Sequence, residues 1–302
     1  MRKTHIDKQS SDKKADKNEI ESTEKLEIRK PETIIKPPSR FLGVFDLKEL
    51  TRRIDLLLAL AERDIKVRYR RTLIGIGWAI VQPLFQMIVF SIIFGKFAKI
   101  ETGEIPYPVY IYSALVPWQF FSRSLTEASM SVVGNANVIS KIYFPRVILP
   151  LSVILSAGFD FLFVFSVLIF LMIIYGILPS LNILFFPLFL ILQIMCALGV
   201  ALWLAPINVK YRDVKYTLQF INQLWFFATP IVYPSHIIPE KFRIIQFINP
   251  MTGVVEGYRW SLINSPAPDI SHLIISVSII LFLFITGFIY FHRQEKDFAD
   301  II

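Results

Sequence analysis

Apolar residues in this chain are gathered into blocks about 20 residues long, the length a helix needs to cross roughly 30 Å of hydrocarbon. Hydrophobic residues make up 54% of the 302 positions, and mean hydropathy is +0.53. A soluble domain of this size keeps a large polar skin and cannot hide so much apolar surface. The chain therefore reads as an all-α polytopic membrane protein with six transmembrane helices. The blocks run from about Leu73 to Phe94, from after Pro108 to Val133, and over Val147–Tyr175, Ile183–Ala205, Tyr216–Val232 and Leu273–Phe291.

Charge sets the expected topology. The formal net charge is +8, and 19 of the 32 Lys and Arg lie in residues 1–72, together with 13 of the 24 acidic residues. Interleaved acids and the lack of a recognition helix or aromatic–basic module speak against nucleic acid as a partner. Inside loops would carry 7 basic residues and outside loops 5, a small bias. The basic N-terminal region decides for an N-in, C-in, multi-pass protein of the cytoplasmic (inner) membrane. Residues 1–45 are expected to be a disordered, charged cytoplasmic tail, with no signal-peptide core. Residues 293–302 would be a short cytoplasmic C-terminal tail.

Between tail and spans, residues 46–72 change character. Leu50, Ile54, Leu57, Leu58, Ala61 and Ile65 recur at three- and four-residue spacing, with Arg52, Arg53, Glu62, Arg63 and Lys66 largely on other faces. That pattern predicts an amphipathic helix on the membrane surface, or a docking helix for a soluble partner. Residues 73–292 form the transmembrane domain. Within it, 233–272 holds apolar stretches too short to span and broken by Pro234, Pro239, Pro250 and Pro266. Such segments read as re-entrant elements or an interfacial lid.

Chemistry-bearing residues are sparse. No Gly-x-x-x-x-Gly-Lys loop exists, since Gly95-Lys96 lacks the upstream glycine, so ATP hydrolysis is not expected in this chain. His5, His236, His272 and His292 are scattered, and Cys196 is the only cysteine, so no metal site is expected. No nucleophile elbow or paired-carboxylate site stands out. Arg123, Glu127 and Asp160 are ionisable residues at membrane depth, where charge is costly. Arg123 and Glu127, four apart, read either as a packing pair on one helix face or as a proton relay; Asp160 should face the interior or a partner helix. Gly75 and Gly77 read as permitting close helix approach, or simply as small residues near a helix start.

Four segments together carry a resemblance: Arg68 to Ala79 (RYRRTLIGIGWA) leading into Gln82-Pro83-Leu84, Asn135 to Pro150 (NANVISKIYFPRVILP), Tyr211 to Tyr233 (YRDVKYTLQFINQLWFFATPIVY), and Asn249 to Trp260 (NPMTGVVEGYRW). In this order the chain resembles, over roughly residues 45–292, the membrane subunit of type-2 ABC exporters, in the branch that moves O-antigen, capsule or teichoic acid. The resemblance implies six spans, an interface helix at about Leu47–Arg71, and a cytoplasmic coupling helix at Asn135–Phe144. It further implies two short periplasmic helices before the last span, at 240–263. The implied coupling residues are Asn135, Asn137, Lys141, Tyr143, Phe144, Pro145 and Arg146.

The implied partners are a second copy of the chain, two ATPase subunits that bind ATP and Mg, a lipid-linked polysaccharide and membrane lipids. Arg68, Arg70 and Arg71 are candidates for attracting a phosphate headgroup, or serve as topology anchors. Aromatic rings give flat surfaces on which sugars slide. The candidate polymer-path rings are Tyr107, Tyr110, Tyr112, Trp118, Trp225, Tyr233, Tyr258 and Trp260, although interfacial belts and lipid contact explain most of the aromatic load. Two other classes compete. An ion-coupled carrier would want internal repeats, and a membrane glycan transferase would want acidic metal-binding groups; neither feature stands out.

Overall fold

The structure, a computed structural model, describes residues 52–298 except 71, 73, 143, 212, 240 and 242. The proposed N-terminal tail and Leu50 lie outside the described residues, as do Arg71, Tyr143, Arg212 and the end of the C-terminal tail. The described residues form helices and turns only. In chain order they are α1 (Ile54–Tyr69), α2 (Gly77–Phe90, continued by a π-helical stretch Ser91–Phe97), α3 (Tyr107–Gly134), α4 (Ala136–Ile139) and α5 (Ile148–Ile174). After a 3-10 turn at Leu181–Phe185 come α6 (Phe186–Lys210), α7 (Val214–Ala228), α8 (Arg243–Ile248), α9 (Pro250–Ile263) and α10 (Ile270–Gln294).

By length and composition four stretches can cross a membrane: Gly77–Phe97, Ile148–Ile174, Leu181–Lys210 and Ile270–Asp297. The expected second and fifth spans fall on α3 and α7, which are not among them. Helix α3 has 28 residues, about 42 Å of rise, but carries Arg123, Glu127 and a series of hydroxyls. Those polar groups are tolerated because α3 is the axis of the molecule. It packs against α2, α5, α6, α7 and α9, and 19 of its residues are buried. Helix α7 has 15 residues, short of a full crossing, because Thr229 turns extended ahead of Pro230.

Local sequence explains the breaks. Gly75 sits at φ +58°, in a turn between α1 and α2, with open space where a side chain would be. The pair Gly75 and Gly77 thus serves this turn and makes no helix–helix seam, which corrects the close-approach reading. The true seam joins α6 and α10. A Cβ on Gly199 would lie 2.8 Å from the Phe284 backbone nitrogen, and one on Gly287 would collide with the Gly199 carbonyl. The same crossing is tied by Trp203, whose indole N–H donates to Thr286 at 3.1 Å and whose ring stacks on Tyr290 at 4.6 Å. Apolar attraction is weak between helices surrounded by lipid, so such close approach supplies the dispersion contact that holds them.

Helix α9 is broken away from α8 by Asn249-Pro250. Asn249 caps it by accepting from the Met251 N–H at 3.0 Å, and Asn264 ends it in the left-handed region at φ 56°. Twelve of its 14 residues are buried. Two short helices therefore precede α10 within the apolar segment 240–263.

The seam makes a sharp forecast. Gly199→Val should destabilise the chain by about 1–3 kcal/mol through overpacking. Gly158→Ala, in helix α5 where a Cβ meets nothing within 4 Å, should be neutral or stabilising by up to about 1 kcal/mol. Thermal unfolding of both variants in one detergent checks the contrast.

Candidate functional site

The residues that carry charge into the interior converge on one place. The last turn of α1 brings Arg68 and Tyr69, α3 brings Arg123 and Glu127, and α5 brings Ser156 and Asp160. Arg68 reaches Asp160 at 2.6 Å and donates to the Ser156 hydroxyl at 3.1 Å with the same nitrogen, while its other terminal nitrogen pairs with Glu127. Arg123 pairs with Asp160 at 2.7 Å and with Glu127, its i+4 neighbour, at 3.1 Å. The Tyr69 hydroxyl donates to the second Asp160 oxygen.

Two guanidinium groups thus meet two carboxylates, and the cluster is neutral. Asp160 is only 4% exposed and receives from three side chains, whereas the Glu127 side chain is 38% exposed. At an effective dielectric near 20, one such pair at 4 Å is worth about 4 kcal/mol before desolvation is subtracted. The net value is far smaller for Glu127, which water screens. Burial, followed by the adjoining Asp160 carboxylate, holds the Tyr69 hydroxyl above its ordinary range, so it remains a donor at neutral pH. The arrangement has the chemistry of a strut. It fixes α1 to α3 and α5 and leaves neither carboxylate without a cation.

The basic residues at the end of α1 therefore part company. Arg68 turns inward and is committed to the cluster, while Arg70 is exposed. Sequence reading singled out Arg123, Glu127 and Asp160 but not their link to Arg68, and it passed over Tyr69. A period-3.6 face on α1 that included Arg68 and Tyr69 would have pointed inward had Asp160 been known to lie opposite.

In the segment 135–146, where the resemblance implies a short coupling helix at Asn135–Phe144, the described residues form the helical turn α4 at Ala136–Ile139. Asn135 is tied back to α3 by donating to the Ser131 carbonyl at 2.8 Å. Phe144 is buried, Pro145 is half-buried, and Arg146 lies over the Phe298 ring at 5.9 Å. Between these anchors Asn137, Lys141 and Ile142 are exposed, with Ile142 at 53%.

At the other end of α3, Arg259 of α9 is 2% exposed. It donates to the Pro230 and Ile231 carbonyls, each at 2.7 Å, with its guanidinium 3.7 Å from the Tyr110 ring centre. Tyr107 donates to the Val232 carbonyl at 2.7 Å, Trp225 to the Asn249 side chain at 2.8 Å, and Tyr258 to Gln193. Arg259 and Tyr107 thereby satisfy the carbonyls of 230–232, a backbone that leaves α7 without helical partners.

The candidate polymer-path rings divide by burial. Tyr107, Tyr110, Tyr112, Trp118 and Tyr258 are buried within the chain. Trp225, Tyr233 and Trp260 are half-buried. Rings turned outward that sequence reading did not name include Trp78 and Phe85 on α2 and Tyr216, Phe220 and Phe227 on α7. Spacing at 216, 220 and 227 along one face of a helix that buries only Leu218 was the available signal. Among the described residues no group of three or more His, Cys, Asp or Glu can hold a metal, and Cys196 is fully buried.

The described residues form a helical domain rich in membrane-length apolar helices, with its first helix tied by ion pairs to α3 and α5. The chain belongs to the ABC-2 type transporter family, which it matches over residues 55–263. It is 32% identical over 256 residues to the O-antigen export system permease protein RfbA of Klebsiella pneumoniae, covering 82% of this chain and 95% of that one. The RfbA protein of Myxococcus xanthus is 28% identical, over 85% of this chain and 98% of its own length. The polysialic acid transport protein KpsM of Escherichia coli is 25% identical over 66% of this chain and 77% of its own.

If the cluster is a strut, its members are unequal to their neighbours. Arg68→Ala leaves Asp160 with one cation fewer and should cost about 3–5 kcal/mol, whereas Arg70→Ala should stay within about 0.5 kcal/mol. A double-mutant cycle of Arg68→Ala with Asp160→Asn, read by thermal unfolding, should give a coupling of about 1–3 kcal/mol.

Proposed function

We propose that this chain is the permease half of an ATP-driven exporter that moves a lipid-linked polysaccharide, O-antigen in the first place, across the cytoplasmic membrane. The similarity to O-antigen export permeases over 95% and 98% of their length carries this reading. Capsule export is the second reading, supported by the weaker match to KpsM.

In this reading α2, α3, α5, α6, α7 and α10 are the six spans, with both termini cytoplasmic and α8–α9 re-entrant on the outer side. Helix α3 can cross despite its charges because Arg123 and Glu127 are paired with each other and with Asp160 and Arg68, and α7 is lengthened across the membrane by 229–232. Two copies of the chain assemble with two ATPase subunits, which bind ATP and Mg. The exposed Asn137, Lys141 and Ile142 offer those subunits a surface held rigid by Phe144, Pro145 and Arg146. A push on α1 or on this segment reaches α3 and α5 directly, because the charge cluster joins them. Arg70, with Arg71, is left to meet lipid headgroups. The outward rings of α2 and α7 are available to the second copy or to a sliding polymer. A proton relay is disfavoured, since Glu127 and Asp160 are each matched by arginine.

Tagged in cells that make the polymer, the chain should purify with an ATPase subunit in equal amount. Lys141→Glu with Ile142→Glu should abolish that association and surface polymer while the variant still elutes as a folded protein. Full polymer display in a strain deleted for the chain would contradict the export reading. ATPase retained by the double variant would contradict the docking surface.

A further inference from the structure

The end of the molecule opposite the charge cluster contains a cavity of about 810 Å³. Tyr110 in its wall and Glu127 in the cluster are 17 residues apart on α3, about 25 Å along the helix. The cavity is enclosed by the loop before α3, the turn after α7, helices α8 and α9, and the start of α10. Its volume falls in the range of small-molecule sites, about 300–1,000 Å³.

The lining selects against most ligand classes. Glu104, Glu256 and Asp269 bring three carboxylates, and Arg243 and Arg259 bring two guanidinium groups. Arg259 is already occupied by two carbonyls and the Tyr110 ring, so the wall has no excess of positive charge for an anion. The carboxylates do not gather into a metal-binding group among the described residues. What remains is a wall of separated acceptors and amide and imidazole groups, with the Phe247 ring edge-on to His272 at 3.7 Å between ring centres. Carboxylates accept from neighbouring hydroxyls, an amide N–H donates, and a ring covers apolar C–H faces. A neutral polyhydroxyl compound uses all three.

One observation points directly to a missing partner. Gln246 is 2% exposed and lines the cavity, and its side-chain N–H₂ meets no hydrogen-bond partner among the described residues. A buried amide without a partner is costly and calls for one. We infer that this cavity is a saccharide-binding site that holds a short stretch of neutral glycan, with Gln246 donating to it, Glu256 and Asp269 accepting from its hydroxyls, and Phe247 against a sugar face. The inference rests on the export reading for the source of the glycan, which would be the polymer as it leaves. Held there, the polymer is kept from sliding back between strokes.

The test places the photoreactive residue benzoylphenylalanine at Phe247 in the wall, and separately at His236 on the rim, in the full chain with its ATPase in polymer-producing cells. Illumination should give a glycan-bearing adduct at both positions. Gln246→Ala should lower the adduct about five- to tenfold, the effect of one lost hydrogen bond. Surface polymer is measured in the same cells. Polymer displayed with no adduct at either position overturns the cavity assignment and leaves the export reading standing. An adduct to a second copy of the chain also overturns it, because the partner then fills the cavity. Display that persists without the chain overturns both.

Discussion

Asp160 is the group on which the rest of the structure depends. A carboxylate 4% exposed inside an apolar helix bundle is tolerable only when cations and donors surround it. Arg68, Arg123 and Tyr69 supply them from two other helices, and Glu127 balances the second guanidinium. Helix α1 has few other reasons to sit where it does, since only Leu60 and Ala61 of its residues are buried. Its register against α3 and α5 is therefore electrostatic more than apolar. For an exporter this is a useful division, because charge pairs fix direction and position where lipid-like packing would let helices slip.

The two ends of α3 solve the same problem differently. Near the cluster, side-chain charges neutralise one another. At the far end Arg259 faces backbone carbonyls and a tyrosine ring, so its charge is dispersed over dipoles. There it holds the carbonyls of Pro230 and Ile231, and Tyr107 holds that of Val232, none of them in a helix. Between the ends, Asn222 ties α7 to Ser122 at 2.6 Å, and Gln119 ties α3 to Gln86 of α2 at 2.6 Å. Elsewhere the bundle relies on closeness, as Gly199 and Gly287 show.

Much of the fold was legible in the sequence. Four long apolar blocks announce their helices by length alone, and Asn249-Pro250 marks a capped helix start. Helix α3 was legible as a long helix but not as the buried axis, because hydropathy reports composition and not which neighbours cover a face. The charged trio was legible from its cost in a membrane. Its partner Arg68 was not, since Arg68, Arg70 and Arg71 look alike in sequence, and Arg68 meets Asp160 from its place in the last turn of α1. Tyrosines and tryptophans are hard to sort from composition for a related reason. A ring that satisfies a broken backbone, as Tyr107 does, has the same composition as one that lines a path.

A strut between α1, α3 and α5 requires α1 to move with the bundle as one body. Cys196 is the chain's one cysteine and is fully buried, so spin labels on cysteines introduced at exposed Leu58 of α1 and Leu162 of α5 report cleanly. Pulsed electron resonance on the ATPase complex should give the same Leu58–Leu162 distance without nucleotide and with ATP trapped, and a broadened distance once Arg68 is replaced by alanine. A distance that shifts between the two nucleotide states while the cluster is intact would contradict the strut and make α1 a hinged element.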